Sequence, residues 1–240
     1  MPELARLGAV GSDELTALHR DLLDPPSHDG RPHVAVNFVM TADGRVSFQG
    51  RSEIGTRTDR ALMFHLRSLA DAVMIGAGTL RVDPFAPSVK DRDRQPLAIV
   101  VSRTCELPLD NRFFAHPGER LVATAASAAP AAVAAVRAAG ALVEAFGDTD
   151  VDLARLLGAL RERGVRFLLC EGGPTLAGQL LALRSVDELF LTHATLITAE
   201  PGARLLFEGG RRPVGTVRVE PVTLHERDGE RYERSRVRYG

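Results

Sequence analysis

The stretch Phe167–Leu176, with the sequence FLLCEGGPTL, predicts the fold more firmly than any other part of the chain. Four apolar residues precede a carboxylate, two glycines and a proline, which is typical of a buried strand that leads into a helix at Pro174. Free backbone N–H groups at such a helix start suit a dinucleotide pyrophosphate. Glu171 would lie at the carboxyl end of the strand, where ligands bind in open α/β sheets. The alternative is that Glu171 forms a local cap or salt bridge and that the glycines only turn the chain.

The rest of the chain alternates between apolar runs and helical patterns. Near-continuous apolar runs indicate strands that are covered on both faces. The predicted strands are Val34–Met40, Ala72–Ile75, Leu97–Val101, Leu121–Ala123, Ala141–Ala145 and Phe167–Cys170. The predicted helices are Arg57–Leu69, Ser127–Ala139 with Ser127 as N-cap, Asp152–Arg163 and Leu176–Leu183. This β-α-β order predicts an α/β fold with right-handed crossovers.

The carboxyl-terminal part has a different pattern. Apolar and long polar residues alternate in three segments, Thr216–Glu220, Val222–Glu226 and Arg231–Tyr239. Asp228-Gly229 separates the last two of these segments. Asp-Gly between alternating runs is a strong hairpin signal. We therefore predict a mixed, mostly parallel central sheet with helices on both faces and a carboxyl-terminal antiparallel hairpin. Residues 1–30 are predicted to form a helical leader, and residues 31–240 a single domain.

Composition limits the possible functions. The 240 residues include 30 basic and 31 acidic side chains, with a formal net charge of −1, which argues against a general electrostatic role on nucleic acid. Only two cysteines are present, which excludes a disulfide scaffold. The first ten residues show no signal peptide pattern, and no apolar segment suits a membrane span. We expect a soluble cytoplasmic protein.

Three further strand exits carry candidate site residues. Gly76-Ala77-Gly78-Thr79 follows an apolar strand, where the glycines permit close approach of a ligand and Thr79 can bind a phosphate or ribose oxygen. Ser102 and Arg103 follow another strand and suit the 2′-phosphate of NADP. Thr41-Ala42-Asp43-Gly44 ends the first strand but is also a common turn sequence. For each exit the simpler interpretation is a turn or a surface residue without ligand.

In this order, the four exits resemble the pyrimidine reductase domain of riboflavin biosynthesis, a relative of dihydrofolate reductase. The resemblance extends from about Arg31 to the carboxyl terminus. Its most specific segments are the block from Leu66-Arg67 to Gly76–Thr79, the stretch Glu171–Leu176, and Val186–Leu189. The resemblance implies an NADPH-dependent oxidoreductase that is typically a homodimer.

The resemblance also implies roles for individual residues. It assigns Met40, Thr79, Asp83 and the stretch Gly173–Gln179 to NADPH, with Ser102 near another such position. The substrate, a phosphoribosylamino-pyrimidine, would contact Arg67, Lys90 and Glu171. The full predicted NADPH set is Met40, Gly76, Gly78, Thr79, Asp83, Ser102, Arg103, Gly172, Gly173, Pro174, Thr175 and Leu176.

The reaction implied is hydride transfer to C1′ of the ring-opened imine form of the ribosyl group. Arg67 and Lys90 would hold the substrate phosphate, and Glu171 would bind the polar edge of the substrate. Asp43 is a candidate proton source, and water serves equally well.

Two departures from the family pattern affect the substrate pocket. Asn37, a predicted substrate contact, stands where bacterial members often carry lysine, and Glu53 lies near the usual place of a tryptophan. Two alternatives therefore stay open: an NADPH-dependent reductase of another small heterocycle, such as a dihydropterin or dihydrofolate, and a non-catalytic NADP-binding module. The chain contains no Cys-x-x-Cys, so we expect no zinc deaminase activity.

Overall fold

A mixed sheet forms the centre of the protein, for which a computed structural model describes residues 5–6, 17–47, 54–90, 92–209 and 215–240. Within these residues ten strands are present: β1 (Ala5–Arg6), β2 (His33–Met40), β3 (Ala72–Gly76), β4 (Leu97–Val101), β5 (Arg120–Thr124), β6 (Leu142–Ala145), β7 (Phe167–Cys170), β8 (Glu188–His193), β9 (Val217–Arg227) and β10 (Glu230–Tyr239). Their order across the sheet is β1-β9-β10-β8-β2-β7-β3-β4-β5-β6. All strands from β8 to β6 run parallel, and β10 is antiparallel to both of its neighbours.

Helices cover both faces of this sheet, as the sequence predicts. The α-helices are α1 (Arg57–Leu69), α2 (Ala77–Val82), α3 (Pro130–Ala138), α4 (Leu153–Glu162) and α5 (Pro174–Ala182), and Arg20–Leu23 and Arg112–Ala115 form 3₁₀ helices. Side chains of β3 alternate between two apolar layers, because successive residues of a strand point to opposite faces. Val73 packs in one layer with Leu66 of α1 and Leu80 of α2. Met74 packs in the other layer with Leu176 of α5. In the part of the chain that is described, no helix is long and apolar enough to cross a membrane.

The start of α3 differs from the prediction. Ser127 is not its N-cap, because the helix begins at Pro130 with Ala129 at the cap position. The backbone N–H of Ser127 instead donates to the carbonyl of Asp148 at 2.8 Å, so this residue belongs to the turn that precedes the helix. Proline fits the first helical position because its missing N–H would have no partner there.

The carboxyl-terminal hairpin is confirmed, with one difference in its first strand. Asp228 and Gly229 both have positive φ, 54° and 80°, as a tight two-residue hairpin turn requires. The predicted segments Thr216–Glu220 and Val222–Glu226 form one continuous strand through Pro221. Pro221 pairs with Ser235 beside a register shift in β10, which is where a sheet tolerates a proline.

The predicted leader, residues 1–30, is only partly within the described residues. Ala5–Arg6 is not helical but pairs in parallel with β9 at the edge of the sheet, where unpaired backbone groups are available. Arg20–Leu23 is a short 3₁₀ helix. Glu53 lies outside the described residues.

Candidate functional site

A large cavity opens at the carboxyl ends of β2, β3, β4 and β7. Its volume is about 1080 Å³, slightly above the usual range for small-molecule sites. Most of the predicted site residues line it: Asn37, Arg67, Gly76, Gly78, Thr79, Asp83, Ser102, Arg103, Glu171, Gly172, Gly173, Pro174, Thr175 and Leu176. The parallel strands bring these residues together at one edge of the sheet, as open α/β sheets do with their ligand sites.

The two glycine-bearing exits lie side by side. The backbone N–H of Gly76 donates to the carbonyl of Gly172 at 2.8 Å, because β3 and β7 are neighbours in the sheet. A Cβ atom added to Gly173 would lie 3.0 Å from Oγ1 of Thr79, and one added to Gly172 would lie 3.2 Å from the Phe38 ring. The Gly172–Gly173 peptide bond is cis. These short distances show that the β7 exit packs closely against Thr79 and the Phe38 ring, which the absence of a side chain at positions 172 and 173 permits.

Helix α5 points its amino terminus into the same cavity. It begins at Pro174, and its N-cap residue, Gly173, makes no side-chain cap hydrogen bond. The first N–H groups of any helix lack partners within the helix, and they carry partial positive charge. In α5 these groups belong to Thr175 and Leu176, both in the cavity lining. The arrangement suits a phosphate or pyrophosphate group.

Arg67 and Glu171 form a buried ion pair in the cavity wall. Nε and Nη2 of Arg67 donate to the two carboxylate oxygens of Glu171 at 2.7 and 2.6 Å. The guanidinium also lies over the rings of Phe64 and Phe85. Burial alone would lower the pKa of Arg67, but the neighbouring Glu171 carboxylate outweighs burial and raises that pKa. The family resemblance implied separate substrate contacts for the two residues, whereas in this structure their charged groups bind each other, through a salt bridge that is not local because 104 positions separate the partners.

Asp59 is a further carboxyl group in the cavity, and the sequence analysis did not single it out. It lies in the first turn of α1 and lines the cavity with Asn37 and Arg67. Burial raises the pKa of Asp59 to about 6; a hydrogen bond from Thr192 opposes this shift, and the Glu230 and Glu171 carboxylates add to it. An acidic residue three positions after Thr56, the N-cap, looks like an ordinary helix start, so the sequence offered no signal for a site residue.

The exit of β4 presents positive charge to the cavity. Arg103 is exposed and lines it together with Arg81 and Arg112. Ser102 also lines the cavity but is buried, and its Oγ accepts a hydrogen bond from the backbone N–H of Cys105 at 3.2 Å. The arginines, more than Ser102, are therefore the groups available to an anionic ligand at this exit.

Three predicted site residues are not among the described residues that line the cavity: Met40, Asp43 and Lys90. The Asp43 carboxylate accepts hydrogen bonds from the Thr41 hydroxyl at 2.6 Å and from the backbone of Thr198 and Ala199. The hydrogen bond from Thr41 contributes most, and the backbone bonds add to it, in lowering the pKa of Asp43. A carboxyl group with a lowered pKa is a poor proton donor. The simpler interpretation of Asp43 as a turn residue describes its contacts well. Met40 accepts a backbone hydrogen bond from Ala194, and Lys90 is exposed beyond the cavity rim.

Fold and site together define an α/β protein with a nucleotide-sized cleft at the carboxyl ends of its parallel strands. The chain belongs to the RibD C-terminal domain family, whose sequence profile matches residues 32–232.

Among curated relatives, the chain is 34% identical to the 2,5-diamino-6-ribosylamino-4(3H)-pyrimidinone 5′-phosphate reductase of Archaeoglobus fulgidus, over 69% of this chain and 81% of that protein. It is 33% identical to the reductase of the same name from Methanothermobacter thermautotrophicus, over 75% of this chain and 85% of that protein. Among solved structures, a pyrimidine reductase-like protein from Corynebacterium diphtheriae has a TM-score of 0.79 at 24% identity, over 87% of this chain and 93% of that one. This last likeness shows the fold alone.

Proposed function

We propose that the protein reduces the ribosyl group of a phosphoribosylamino-pyrimidine to the ribityl form, as an oxidoreductase of riboflavin biosynthesis that uses NADPH. The observation that carries the proposal is the cavity whose wall contains the amino terminus of α5, the two glycine-bearing strand exits and the Arg67–Glu171 pair. The names of the relatives support the same substrate class, since both act on a ribosylamino-pyrimidinone phosphate.

The residues present fit a dinucleotide. The glycine-bearing exits of β3 and β7 lie side by side in the cavity wall, together with Thr175 and Leu176 in the first turn of α5, whose backbone N–H groups suit a pyrophosphate. Arg103 would pair with the 2′-phosphate that distinguishes NADPH from NADH. The chemistry that the cofactor supplies when bound is hydride donation to C1′ of the ring-opened imine.

The side chains of this protein then position the substrate and donate one proton to it. Arg67 acts as a positioning residue, because its two hydrogen bonds fix the orientation of the Glu171 carboxylate against the polar edge of the pyrimidine. Reduction of the imine also requires a proton on the nitrogen. Asp59 is the proposed donor, because it lines the cavity and burial raises its pKa to about 6. With Arg67 engaged by Glu171, the substrate phosphate is left to two other cations: Arg60, which lines the cavity, and Lys90, which is exposed outside the lining.

The test is NADPH oxidation by the purified chain with three substrates at equal concentration. We expect turnover with the 2,5-diamino-pyrimidinone ribosyl phosphate, less with its deaminated uracil counterpart, and none with dihydrofolate. Turnover with dihydrofolate alone would favour the alternative heterocycle reductase. NADPH binding without oxidation of any of the three would favour a non-catalytic module.

Glu171→Gln provides the matched variant for this assay. We expect it to lower kcat by about tenfold or more with little change in the Kd for NADPH, because the substituted group faces the substrate and not the helix start. An unchanged kcat would remove Glu171 from the proposed mechanism.

Arg103→Ala tests the choice of cofactor. We expect the Kd for NADPH to rise about tenfold or more while the Kd for NADH stays the same, because only NADPH carries the 2′-phosphate. Fluorescence titration of both coenzymes measures the two constants. Equal losses for NADPH and NADH would contradict the assignment.

The proposal also includes a homodimer in the cytoplasm, with no nucleic-acid or membrane partner. Sedimentation analysis of the purified chain tests the dimer, and fractionation of the producing cells tests the location.

A further inference from the structure

A second cluster of ligating side chains lies at the other end of the strands from the cavity. His33 is the first residue of β2, His28 belongs to the turn before it, and Asp187 immediately precedes β8. Nε2 of His28 lies 3.3 Å from Nδ1 of His33 and 3.3 Å from Oδ1 of Asp187. Nδ1 of His33 lies 3.7 Å from Oδ2 of the same carboxylate. One potential ligand atom from each of three segments of the chain therefore lies within 4.8 Å of the other two.

The convergence contains more lone pairs than protons can satisfy. A proton on Nε2 of His28 can bridge to Asp187 or to His33, but Nε2 then has no lone pair to accept from His33. With the proton on Nδ1 of His33, that N–H donates to the lone pair of Nε2 of His28, and no proton lies between His28 and Oδ1 of Asp187, 3.3 Å away. In either arrangement Nε2 of His33 stays buried without a hydrogen-bond partner among the described residues.

Asp187 is held in a fixed orientation and keeps acceptor capacity toward the histidines. Nη1 of Arg31 and the backbone N–H of Val34 both donate to Oδ2, at 2.6 and 2.8 Å. Oδ1 receives Nη2 of Arg31 at 2.8 Å, which leaves one of its two acceptor positions for the histidine side.

We propose that His28, His33 and Asp187 bind a divalent transition-metal ion, with solvent completing its coordination. Donor atoms about 2.1 Å from a tetrahedral ion are separated by about 3.4 Å, close to the separations of His28 from its two partners. Two imidazoles and one carboxylate suit Zn²⁺, Co²⁺ or Ni²⁺ better than Mg²⁺ or Ca²⁺.

The far nitrogen of His33 faces a carboxylate at longer range. With Nδ1 of His33 on the ion, its proton is on Nε2, and Oε1 of Glu188 lies 3.8 Å away, beyond hydrogen-bond distance. A carboxylate on the far side of a ligating imidazole commonly fixes its tautomer and ring orientation. Asp187 carries the negative charge nearest the ion and shares it with Arg31, while Glu188 is paired with Arg234.

The proposed role of the ion is to join the turn at His28 to the amino ends of β2 and β8. Phe38 and Val39, at the other end of β2, line the cavity, and β2 extends at about 3.3 Å per residue, so the ion site is well removed from the reaction. An ion that binds only the folded chain raises its stability. The readouts are therefore metal binding and thermal unfolding, which do not depend on the proposed reductase activity.

The experiment is calorimetric titration of the metal-free full chain with ZnCl₂, followed by thermal unfolding with and without the ion. We expect one equivalent of Zn²⁺ to bind and to raise the unfolding midpoint. His28→Ala should weaken the affinity by about tenfold or more and abolish the stabilisation. The matched control is His193→Ala. The His193 side chain is 22% exposed, against 28% for His28, and it pairs with Glu233, away from the proposed ion site.

Two results would overturn the proposal: no binding of Zn²⁺ by the unmodified chain, or equal binding by the chain and its His28→Ala variant. Should the variant not fold, the imidazole ¹⁵N resonances of the unmodified protein decide the question. The His28 and His33 signals must move on addition of Zn²⁺ while that of His193 stays in place.

Discussion

Arg67 and Glu171 form a buried ion pair, and the stability of the folded protein depends on both partners being present. Each side chain is almost fully buried, at 9% and 7% exposure, so the loss of water is costly for both. Such pairs contribute little net stability, but removal of one partner leaves an uncompensated buried charge. The pair is therefore better suited to holding a carboxylate in one orientation than to stabilising the fold. This is why we assign a positioning role to Arg67.

Asp59→Asn tests the buried carboxyl that we propose as proton donor. The folded-state pKa of about 6 lies above the ordinary value of 3.8, so the folded protein binds this proton more tightly than the unfolded chain. The carboxylate is thus destabilising above the folded-state pKa, and this cost disappears as the pH falls below the ordinary value. We expect the variant to gain about 1–3 kcal/mol in free energy of unfolding near pH 8 and to match the parent near pH 4.

Urea unfolding across this pH range measures the change in free energy of unfolding. Asp24→Asn is the control, because the Asp24 side chain is 93% exposed and we expect its substitution to leave that free energy unchanged. Catalysis gives the second measurement. The turnover of the parent should decline above about pH 6 as Asp59 loses its proton, and the variant should be slow at every pH. A stability gain that is the same at both ends of the range would show that the carboxyl does not titrate as described.

Most cavity residues were predictable from sequence because strand exits mark the ligand edge of a parallel sheet. The sequence could not predict which of these residues pair with each other. Arg67 and Glu171 both suit a charged substrate by residue type, and only the fold brings the α1 side chain against the end of β7. Asp59 was missed for the opposite reason, since its position is ordinary for a helix start and only its burial makes it unusual.

At the scale of elements, local signals predicted strands β2 to β7 and the hairpin, but they missed strand β8 and helix α2 and misplaced the start of α3. Helix α1 has the predicted bounds, Arg57–Leu69, because its apolar face and its Thr56 cap agree. Helix α3 begins three residues later than predicted. Ser127 has a good capping side chain, but its backbone is used by the turn at Asp148. A capping residue type is a local preference, and tertiary contacts override it.

Two helical glycines should respond to alanine in opposite ways. A Cβ at Gly178 in α5 would overlap the carbonyl oxygen of Glu208, whereas one at Gly158 in α4 would meet nothing closer than the Gly30 carbonyl at 3.7 Å. We expect Gly178→Ala to cost about 1–3 kcal/mol, because backbone must move. We expect Gly158→Ala to add about 0.5–1 kcal/mol, because glycine is unfavourable inside a helix. Chemical unfolding of both variants provides the comparison.

The Gly178 substitution should also affect the site. The segment from Glu200 to Arg204, which precedes Glu208, lines the cavity beside the start of α5, where Nη2 of Arg204 donates to Oγ1 of Thr175 at 2.9 Å. Displacement of Glu208 should move this wall and raise the Kd for NADPH, while Gly158→Ala leaves that constant unchanged. Equal NADPH affinity in both variants would show that the wall is independent of the contact at Gly178.

At the scale of the whole molecule, the strand order explains how distant segments share one site. Strand β7 inserts between β2 and β3, so the exits after Cys170 and Gly76 become neighbours although many residues separate them in the chain. The α/β pattern predicts such an edge but not the order of strands along it. Met40 is the last residue of β2 and Asp43 lies in the turn after it; both bond to residues between 194 and 199 and neither lines the cavity, which no local pattern indicates.

Arg234 of β10 joins the amino-terminal segment to the sheet through two carboxylates. Its guanidinium donates to Glu188 at 2.7 and 2.9 Å and to Asp21 at 2.8 and 2.6 Å. Arg234 and Glu188 are 3% and 4% exposed, so loss of the arginine leaves a buried carboxylate unpaired. We expect Arg234→Met to cost about 3–5 kcal/mol in free energy of unfolding and to increase amide exchange at Arg20–Leu23.

The matched control is Arg238→Met on the same strand. Arg238 also pairs with a carboxylate, that of Glu220 at 2.8 Å, but both partners are more than half exposed, at 55% and 57%. Water replaces a lost partner at such a site, so the expected cost is about 0–1 kcal/mol. Urea unfolding compares the two variants, and hydrogen exchange locates the change. If both substitutions cost the same, or if exchange at the 3₁₀ helix is unaltered, the amino-terminal segment is held by its apolar contacts, chiefly the fully buried Leu22, and not by Arg234.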